Sequence, residues 1–554
     1  AADLDRVREH PGPEPRDGGR RRHLLGHPLE DGVCVGLPIT PDEREAGDQP
    51  HEHPDHQPGG VADPENTRLE HGPDDEHGDR DRARGRPAAE LEFRLRRFPR
   101  CFLSHTVRWR SGSPIKPRFA ARTRTGRRAA ATARFNRAPT DRSAVHVDAD
   151  ALTEFRRDLH QHPEPAWCEF YTTARIVEEL RARDVDELHV GPDALEDSDE
   201  PRMSLPDQAT RAEWKDRAEA AGADPDLVGR LDGGNTGAVA VVEQGEGPTV
   251  GLRVDIDGLP ITESDEADHV PAAEGFRSEN EGYMHACGHD AHATVGLGVI
   301  DAVLNSEFSG TLKVFFQPAE ERVAGGGPMS RSGHLDDVDS LYAVHIGLDH
   351  PTGEIVAGVG GFLAVSGFEV EFTGSPAHAG AHPEEGDNAI QAMAEAISSI
   401  YAVPRHADGP TRVNAGVVEG GTASNIIAEH ARMECEVRGQ TTDLMEYMWE
   451  ETGRVVDAAA DMHDVDAERT RNSRAPSAES DEELASVVAD VAAGVEGVDS
   501  IMDHDELGGS EDATFLMNRV QDNGGQACYV GLGTDHPGET RLEHLRFAGH
   551  GFDE

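Results

Sequence analysis

The sequence predicts an α/β protein, a sheet covered by helices on both faces, with a small α+β domain inserted into it. Three observations carry this reading. Short apolar strands alternate with helical stretches from about Asp148 to Gly361. A β-α-β-β-α-β order, the ferredoxin-like arrangement, follows within residues 362–475. After Ala475 the helix and strand pattern resumes, so the first domain closes over residues 476–554.

Residues 1–147 have another texture. They are rich in Arg, Pro, His, Gly and Asp, as in Arg20-Arg21-Arg22-His23, and no helical or strand period persists. Such a stretch buries too little apolar surface to offset its ordering entropy. It is expected to be a disordered extension or a segment foreign to the native protein; a basic arm for nucleic acid is the alternative.

The ordered pattern starts with helical spacing over residues 150–183: Leu152, Phe155 and Leu159, then Thr173, Ile176, Val177 and Leu180. Asp193 to Asp232 is polar and helical in part, around Ala212 to Ala221. Ala238–Val242 and Thr249–Val254 read as adjacent strands separated by the turn-like Gly245-Glu246-Gly247-Pro248. Thr294–Leu304 reads as a helix, and Thr311–Phe316 as a strand buried on both faces. In the insert, Phe368–Phe372 alternates as a half-buried strand. Asn388–Tyr401 is a helix, Arg412–Val418 and Ala431–Val437 are strands, Thr442–Met462 is a long helix, and a strand begins near Val465.

Composition narrows the function. The chain has 106 acidic and 53 basic residues, a formal charge of -53, and its only lysines are Lys116, Lys215 and Lys313. That excess repels nucleic acid and anionic membranes. It is spread through ordered-looking segments instead of forming one acidic tail. It therefore reads as adaptation to a salt-filled cytoplasm, where screening makes self-repulsion tolerable. The six cysteines, at 34, 101, 168, 287, 435 and 528, form no CxxC pair and suggest a reducing interior. No apolar run approaches ~20 residues and no signal sequence opens the chain, so a cytoplasmic protein without a membrane span is expected.

Four segments carry chemistry. Met284-His285-Ala286-Cys287-Gly288-His289-Asp290-Ala291-His292 gathers imidazole, thiol and carboxylate donors suited to zinc-like ions. Gly288 lets the backbone fold tightly enough for Cys287 and His289 to face one ion. Phe316-Gln317-Pro318-Ala319-Glu320-Glu321 places two carboxylates just past a strand, where α/β enzymes hold their ligands. One can bind metal while the other takes a proton from water. Arg253-Val254-Asp255-Ile256-Asp257 is another strand end with two carboxylates, and Tyr342-Ala343-Val344-His345 is an apolar strand ending in histidine. Each alone has an ordinary structural explanation; together, in order, they deliver metal-ligand residue types to one sheet edge.

These segments resemble the motifs of the M20 metallopeptidase and aminoacylase family, in its amidohydrolase branch. The resemblance runs from Phe155-Arg156-Arg157-Asp158-Leu159-His160-Gln161-His162-Pro163-Glu164 to about Gly538. It is most specific at His285–His292 and Gln317–Glu321, with support from Ser375-Pro376-Ala377-His378-Ala379-Gly380 and Gly509-Ser510-Glu511-Asp512-Ala513-Thr514. It implies a phosphorylase/hydrolase-like di-metal catalytic domain in two parts, residues 148–361 and 476–554, and a dimerisation role for the insert at 362–475. It implies that Cys287, His289, Glu321 and His345 bind two divalent ions, Mn or Zn. Glu320 would be the general base, and Asp257 would orient a ligand. His378 would reach an active site across a dimer and polarise the scissile carbonyl. Asn425 and Arg438 would lie near the substrate's polar end.

The C-terminus departs from the family pattern. Gly533-Thr534-Asp535-His536-Pro537-Gly538 fits, but the continuation does not. The last metal ligand is then His544 or His550, or the site has four protein ligands and water. The implied activity is hydrolysis of the amide bond in a small N-acyl or N-aroyl amino acid, p-aminobenzoyl-glutamate-like, by metal-activated water. The alternatives are a dipeptidase or aminoacylase of the same family, or a catalytically impaired paralogous subunit. The expected assembly is a homodimer, or a heterodimer with a related subunit.

Overall fold

The computed structural model describes residues 147–534 except 197 and 199–201. The extension expected at 1–147, apart from Val147, lies outside these residues, as do His544 and His550. Everything described belongs to one compact unit.

Asp148 opens the first helix by accepting a hydrogen bond from the Ala151 N–H at 3.1 Å. The helical spacing over 150–183 resolves into two helices, α1 (Ala149–Gln161) and α2 (Phe170–Ala182). Pro163 separates them, because it has no N–H to donate and disfavours helix at the residue before it. There follow β1 (Glu187–Val190), α3 (Gln208–Ala220), α4 (Pro225–Leu231), β2 (Ala238–Gln244), β3 (Thr249–Asp255) and α5 (Val270–Glu274). Next come α6 (His289–Leu304), β4 (Gly310–Gln317), α7 (Gly326–Ser330), β5 (Ser340–Ile346) and β6 (Glu354–Gly360).

The insert contributes β7 (Ala364–Thr373), α8 (Ala389–Ile400), β8 (Thr411–Gly420), β9 (His430–Gly439), α9 (Thr442–Asp461) and β10 (Asp466–Ala475). The chain then adds α10 (Glu482–Ala492), β11 (Ser500–Met502), β12 (Asp505–Glu506), α11 (Ala513–Asp522) and β13 (Gln526–Leu532).

The large sheet runs β1-β2-β4-β3-β5-β13-β6-β11, with β12 also on β6. Its centre, β4-β3-β5-β13, is parallel, so these strands end at a common edge. The adjacency expected of β2 and β3 is not found. They are consecutive in the chain but not neighbours in the sheet, because β4 lies between them, antiparallel to β2 and parallel to β3. The Gly245–Pro248 link crosses over the start of β4, where Ser309 Oγ donates to the Glu246 carbonyl at 2.7 Å and Thr311 N–H to that of Pro248 at 3.0 Å. Gly247 permits this close approach, since a Cβ there would meet the Ser309 carbonyl oxygen at 2.0 Å.

Alternate strand residues feed two cores. Val254, Val314 and Phe316 pack with Ile176, Leu297 and Ile300 on one face, and Val239, Phe315 and Leu341 with Met329, Leu516 and Val520 on the other. Helices therefore cover both faces, as the continuous apolar strands require.

The second sheet is antiparallel throughout, in the order β10-β7-β9-β8. Its apolar face, with Phe368, Phe372, Met433 and Val437, packs on Ala392 and Ala396 of α8 and Met445 and Met448 of α9. On β9 the alternate residues Arg432, Glu434, Glu436 and Arg438 are half-buried and lie on the other face. β8 is an edge strand, with Val417 42% and Val418 53% exposed. The described cysteines, 168, 287, 435 and 528, are free. Among the described residues no helix is long and apolar enough to cross a membrane.

Candidate metal centre

The parallel strands deliver their ends to one place. Gly288 has φ +78°, a left-handed conformation, and turns the chain from the His285–Cys287 segment into α6 at His289. Past β4 the chain makes a tight turn with Ala319 and Val323 both at positive φ (55° and 51°). For β-branched Val323 this backbone is strained. The Val323 N–H donates to the Glu320 carbonyl at 2.6 Å.

Asp257, just beyond β3, ties these two turns together. Its Oδ1 accepts from Glu320 N–H at 3.2 Å and its Oδ2 from Glu321 N–H at 3.0 Å. Oδ1 also lies 3.2 Å from His289 Nδ1. With Nδ1 held there, His289 presents Nε2 to the centre of the site. Nε2 lies 3.8 Å from Glu321 Oε1 and 3.9 Å from Glu320 Oε2. On the other side, Cys287 Sγ is 3.5 Å from His345 Nε2. His345 Nδ1 donates to the Ile346 carbonyl at 2.6 Å, which leaves an Nε2 lone pair facing the thiol.

Six of the residues singled out in sequence thus converge: Asp257, Cys287, His289, Glu320, Glu321 and His345. The donor atoms of Cys287, His289 and His345 lie within 4.8 Å of one another, as do those of His289, Glu320 and Glu321. His289 Nε2 and Glu321 Oε1 are buried without a hydrogen-bond partner. A buried polar atom left unpaired is costly, and these are thiol, imidazole and carboxylate donors. The set fits divalent cations of the zinc and manganese kind.

Burial and neighbouring charge shift these groups from their ordinary values. Burial pushes Glu321 up to about 7 and the Cys287 thiol up to about 11. Glu320 is raised well above the carboxylate range, first by burial and then by Glu511, Glu321 and Asp512. Burial lowers His345 to about 4. At His289 burial opposes the charge, but Asp255 and Asp257 outweigh it and raise the pKa well above the usual value.

Sequence reasoning gave no role to the layer beneath. Arg253 is fully buried on β3. It donates to Gln317 Oε1 at 2.9 Å, Asp255 Oδ2 at 2.6 Å, Glu511 Oε1 at 3.0 Å and Asp512 Oδ1 at 3.3 Å. Tyr529 OH donates to Glu511 Oε2 at 2.9 Å. Asp255 bonds His292 Nδ1, and His292 Nε2 accepts from Ile346 N–H at 2.9 Å, beside His345. The available signal was an Arg and an Asp inside an otherwise apolar strand, which need paired partners when buried. A further buried group sits behind α6. His160 lies 3.0 Å from both Asp290 and Glu263, and His269 lies 2.8 Å from Glu263.

The remaining sequence candidates lie elsewhere on the chain. His378 is exposed, and its Nδ1 accepts from Gly380 and Ala381 N–H at 3.1 Å each. Its loop is tied to that of exposed Asn425, whose carbonyl accepts from Ala379 N–H at 2.9 Å. Among the described residues, no hydrogen bond or ion pair joins either side chain to the Cys287–Glu321 cluster. Arg438 is held by Glu436, through bonds of 2.9 and 3.1 Å. A cleft with about 780 Å³ of empty volume separates the outer face of the second sheet from the Glu321 turn, with Asn414, Glu434, Glu436 and Asn472 on the sheet side and Glu321 and Arg322 on the other.

Comparison with known proteins agrees with this geometry. The chain is 39% identical over 388 residues to indole-3-acetyl-aspartic acid hydrolase of Enterobacter agglomerans, covering 69% of this chain and 88% of that protein. It is 38% identical over 394 residues to one of the subunits of p-aminobenzoyl-glutamate hydrolase from Escherichia coli K12, covering 70% and 90%. Among solved structures, aminobenzoyl-glutamate utilization protein from Klebsiella pneumoniae superposes with a TM-score of 0.61 at 33% identity, covering 72% of this chain and 95% of the other. Residues 251–546 match the profile of peptidase family M20/M25/M40. The chain belongs to that family.

Proposed function

We propose that the protein is a two-metal amidohydrolase that cleaves the amide bond of a small N-acyl or N-aroyl amino acid, p-aminobenzoyl-glutamate and indole-3-acetyl-aspartate being the types its relatives name. The observation that carries this reading is the unpartnered His289 Nε2, buried among Cys287, His345, Glu320 and Glu321. Cys287, His289, Glu321 and His345 would hold two divalent cations, Mn or Zn, with His544 as a further ligand. When bound, the cations supply Lewis acidity that polarises a carbonyl and lowers the pKa of water.

The chain's own groups do the rest. Asp257 fixes the backbone of Glu320 and Glu321 and the ring of His289, so that proton acceptor and ligands keep one geometry. Glu320 takes a proton from the attacking water and returns it to the departing amine. Asn425 and the Arg438–Glu436 pair form polar walls for the substrate. His378, exposed on its loop, stabilises the developing oxyanion from a second subunit. The edge strand β8, with Val417 and Val418 exposed, supports a dimer, with a second copy or a related chain.

The test is Glu320→Gln. The variant is expected to retain its metal content, measured by elemental analysis, and to lose at least about a thousandfold in turnover. Wild-type turnover with full metal content would remove Glu320 from this role.

A further inference from the structure

Within the proposed activity, which this inference presupposes, the structure assigns Arg322 to the substrate's carboxylate, as the residue that makes the site select an amino acid with a free acid group.

The cleft between the Glu321 turn and the second sheet is lined by Glu321, Glu434 and Glu436, on a chain of net charge -53. A carboxylate entering it meets repulsion unless a cation compensates. Among the described residues, Arg322 is the only Arg or Lys lining the cleft. Of the other cations on this face, Arg432 is 3.0 Å from Glu434 and also pairs with Glu369, and Arg438 binds both oxygens of Glu436, while exposed Arg412, across from Arg438, is not among the residues lining the cleft. Arg322 is exposed and makes no hydrogen bond or ion pair among the described residues.

Its position suits the same task. In an N-acyl amino acid only the nitrogen and the α-carbon separate the scissile carbonyl from the carboxylate. The carboxylate's receptor must therefore neighbour the groups that hold that carbonyl, and Arg322 directly follows Glu320 and Glu321. Its backbone is fixed on both sides, because Asp257 holds the Glu321 N–H and strained Val323 donates to the Glu320 carbonyl. The Val323 carbonyl in turn accepts from Arg474 N–H at 3.2 Å. The turn that carries Glu320 and Glu321 also sets Arg322 on the wall of the cleft. A guanidinium fork matches a carboxylate bidentately, which a lysine ammonium does not.

The experiment uses the full metal-loaded chain and a matched pair of substrates: an N-benzoyl amino acid that the wild type hydrolyses, and its α-carboxamide. Arg322→Gln is expected to raise KM for the acid about tenfold, with kcat within about twofold, and to erase a similar factor of the preference for acid over amide. Arg322→Lys, which keeps the charge but not the fork, should recover part of that preference. Unchanged metal content and thermal midpoint would show that the exposed substitution leaves the fold intact. If Arg322→Gln keeps the wild-type preference, or weakens acid and amide alike, the assignment is overturned while the proposed activity stands. If the loaded wild type hydrolyses no N-acyl amino acid at all, both fall together.

Discussion

Asp257 serves three donors with two oxygens: the His289 ring and the N–H groups of Glu320 and Glu321. One side chain thereby registers α6 against the β4 turn. Behind α6, His160 plays a comparable part between Asp290 and Glu263, and there the electrostatics can be tested by pH. Burial opposes its charge, but the two carboxylates prevail and raise its pKa to about 9. The folded state thus holds this proton more tightly than the unfolded chain, where histidine titrates near 6.5. The stabilisation is fully present below pH 6.5 and is lost as pH rises through 9. Thermal midpoints at constant salt should therefore fall more steeply between these pH values in the wild type than in His160→Gln. Other buried groups titrate in this range, so the difference between the two proteins is the readout. Parallel pH profiles would show that His160 carries no such proton.

At the scale of elements, the legible parts were those set by local pattern. The apolar strands β3, β4 and β5 and the β-α-β-β-α-β order of the insert follow from periodicity and burial, and the structure has them. Strand neighbours were less legible. The placement of β4 between β2 and β3 depends on pairing between segments far apart in the chain, which no local signal encodes. The same division holds in the site. Cys287, His289, Glu320, Glu321 and His345 stood out because metal-ligand types clustered at strand ends. Arg253 and Glu511 lay in segments that stood out but received no role, and Tyr529 did not stand out, because their roles exist only once β3, β13 and the start of α11 are side by side. His378 shows another limit, since a residue proposed to act from a second subunit has no partner within one chain.

For the whole molecule, the acidic excess and the exposed edge of β8 lead to one expectation. With a formal charge of -53, the compact state needs screening by cations, and a dimer of two such chains needs more. In molar KCl the protein should sediment as a dimer, alone or with a related subunit. On dilution into low salt it should dissociate or unfold and release metal. A monomer at high salt, equally stable at low salt, would remove both the salt requirement and the proposed role of His378 across subunits.

The claim on which the rest depends is metal-dependent amide hydrolysis by this chain. It is tested most directly by stripping the full-length protein with a chelator at high KCl and reloading it with Mn, Zn or Co. Turnover is then followed on a panel of N-acyl and N-aroyl amino acids while bound metal is counted. The predicted result is no activity in the stripped protein and recovery on reloading, with turnover saturating near two ions per chain. Hydrolysis that persists unchanged without metal, or a folded protein that binds metal and cleaves no member of the panel, would contradict it.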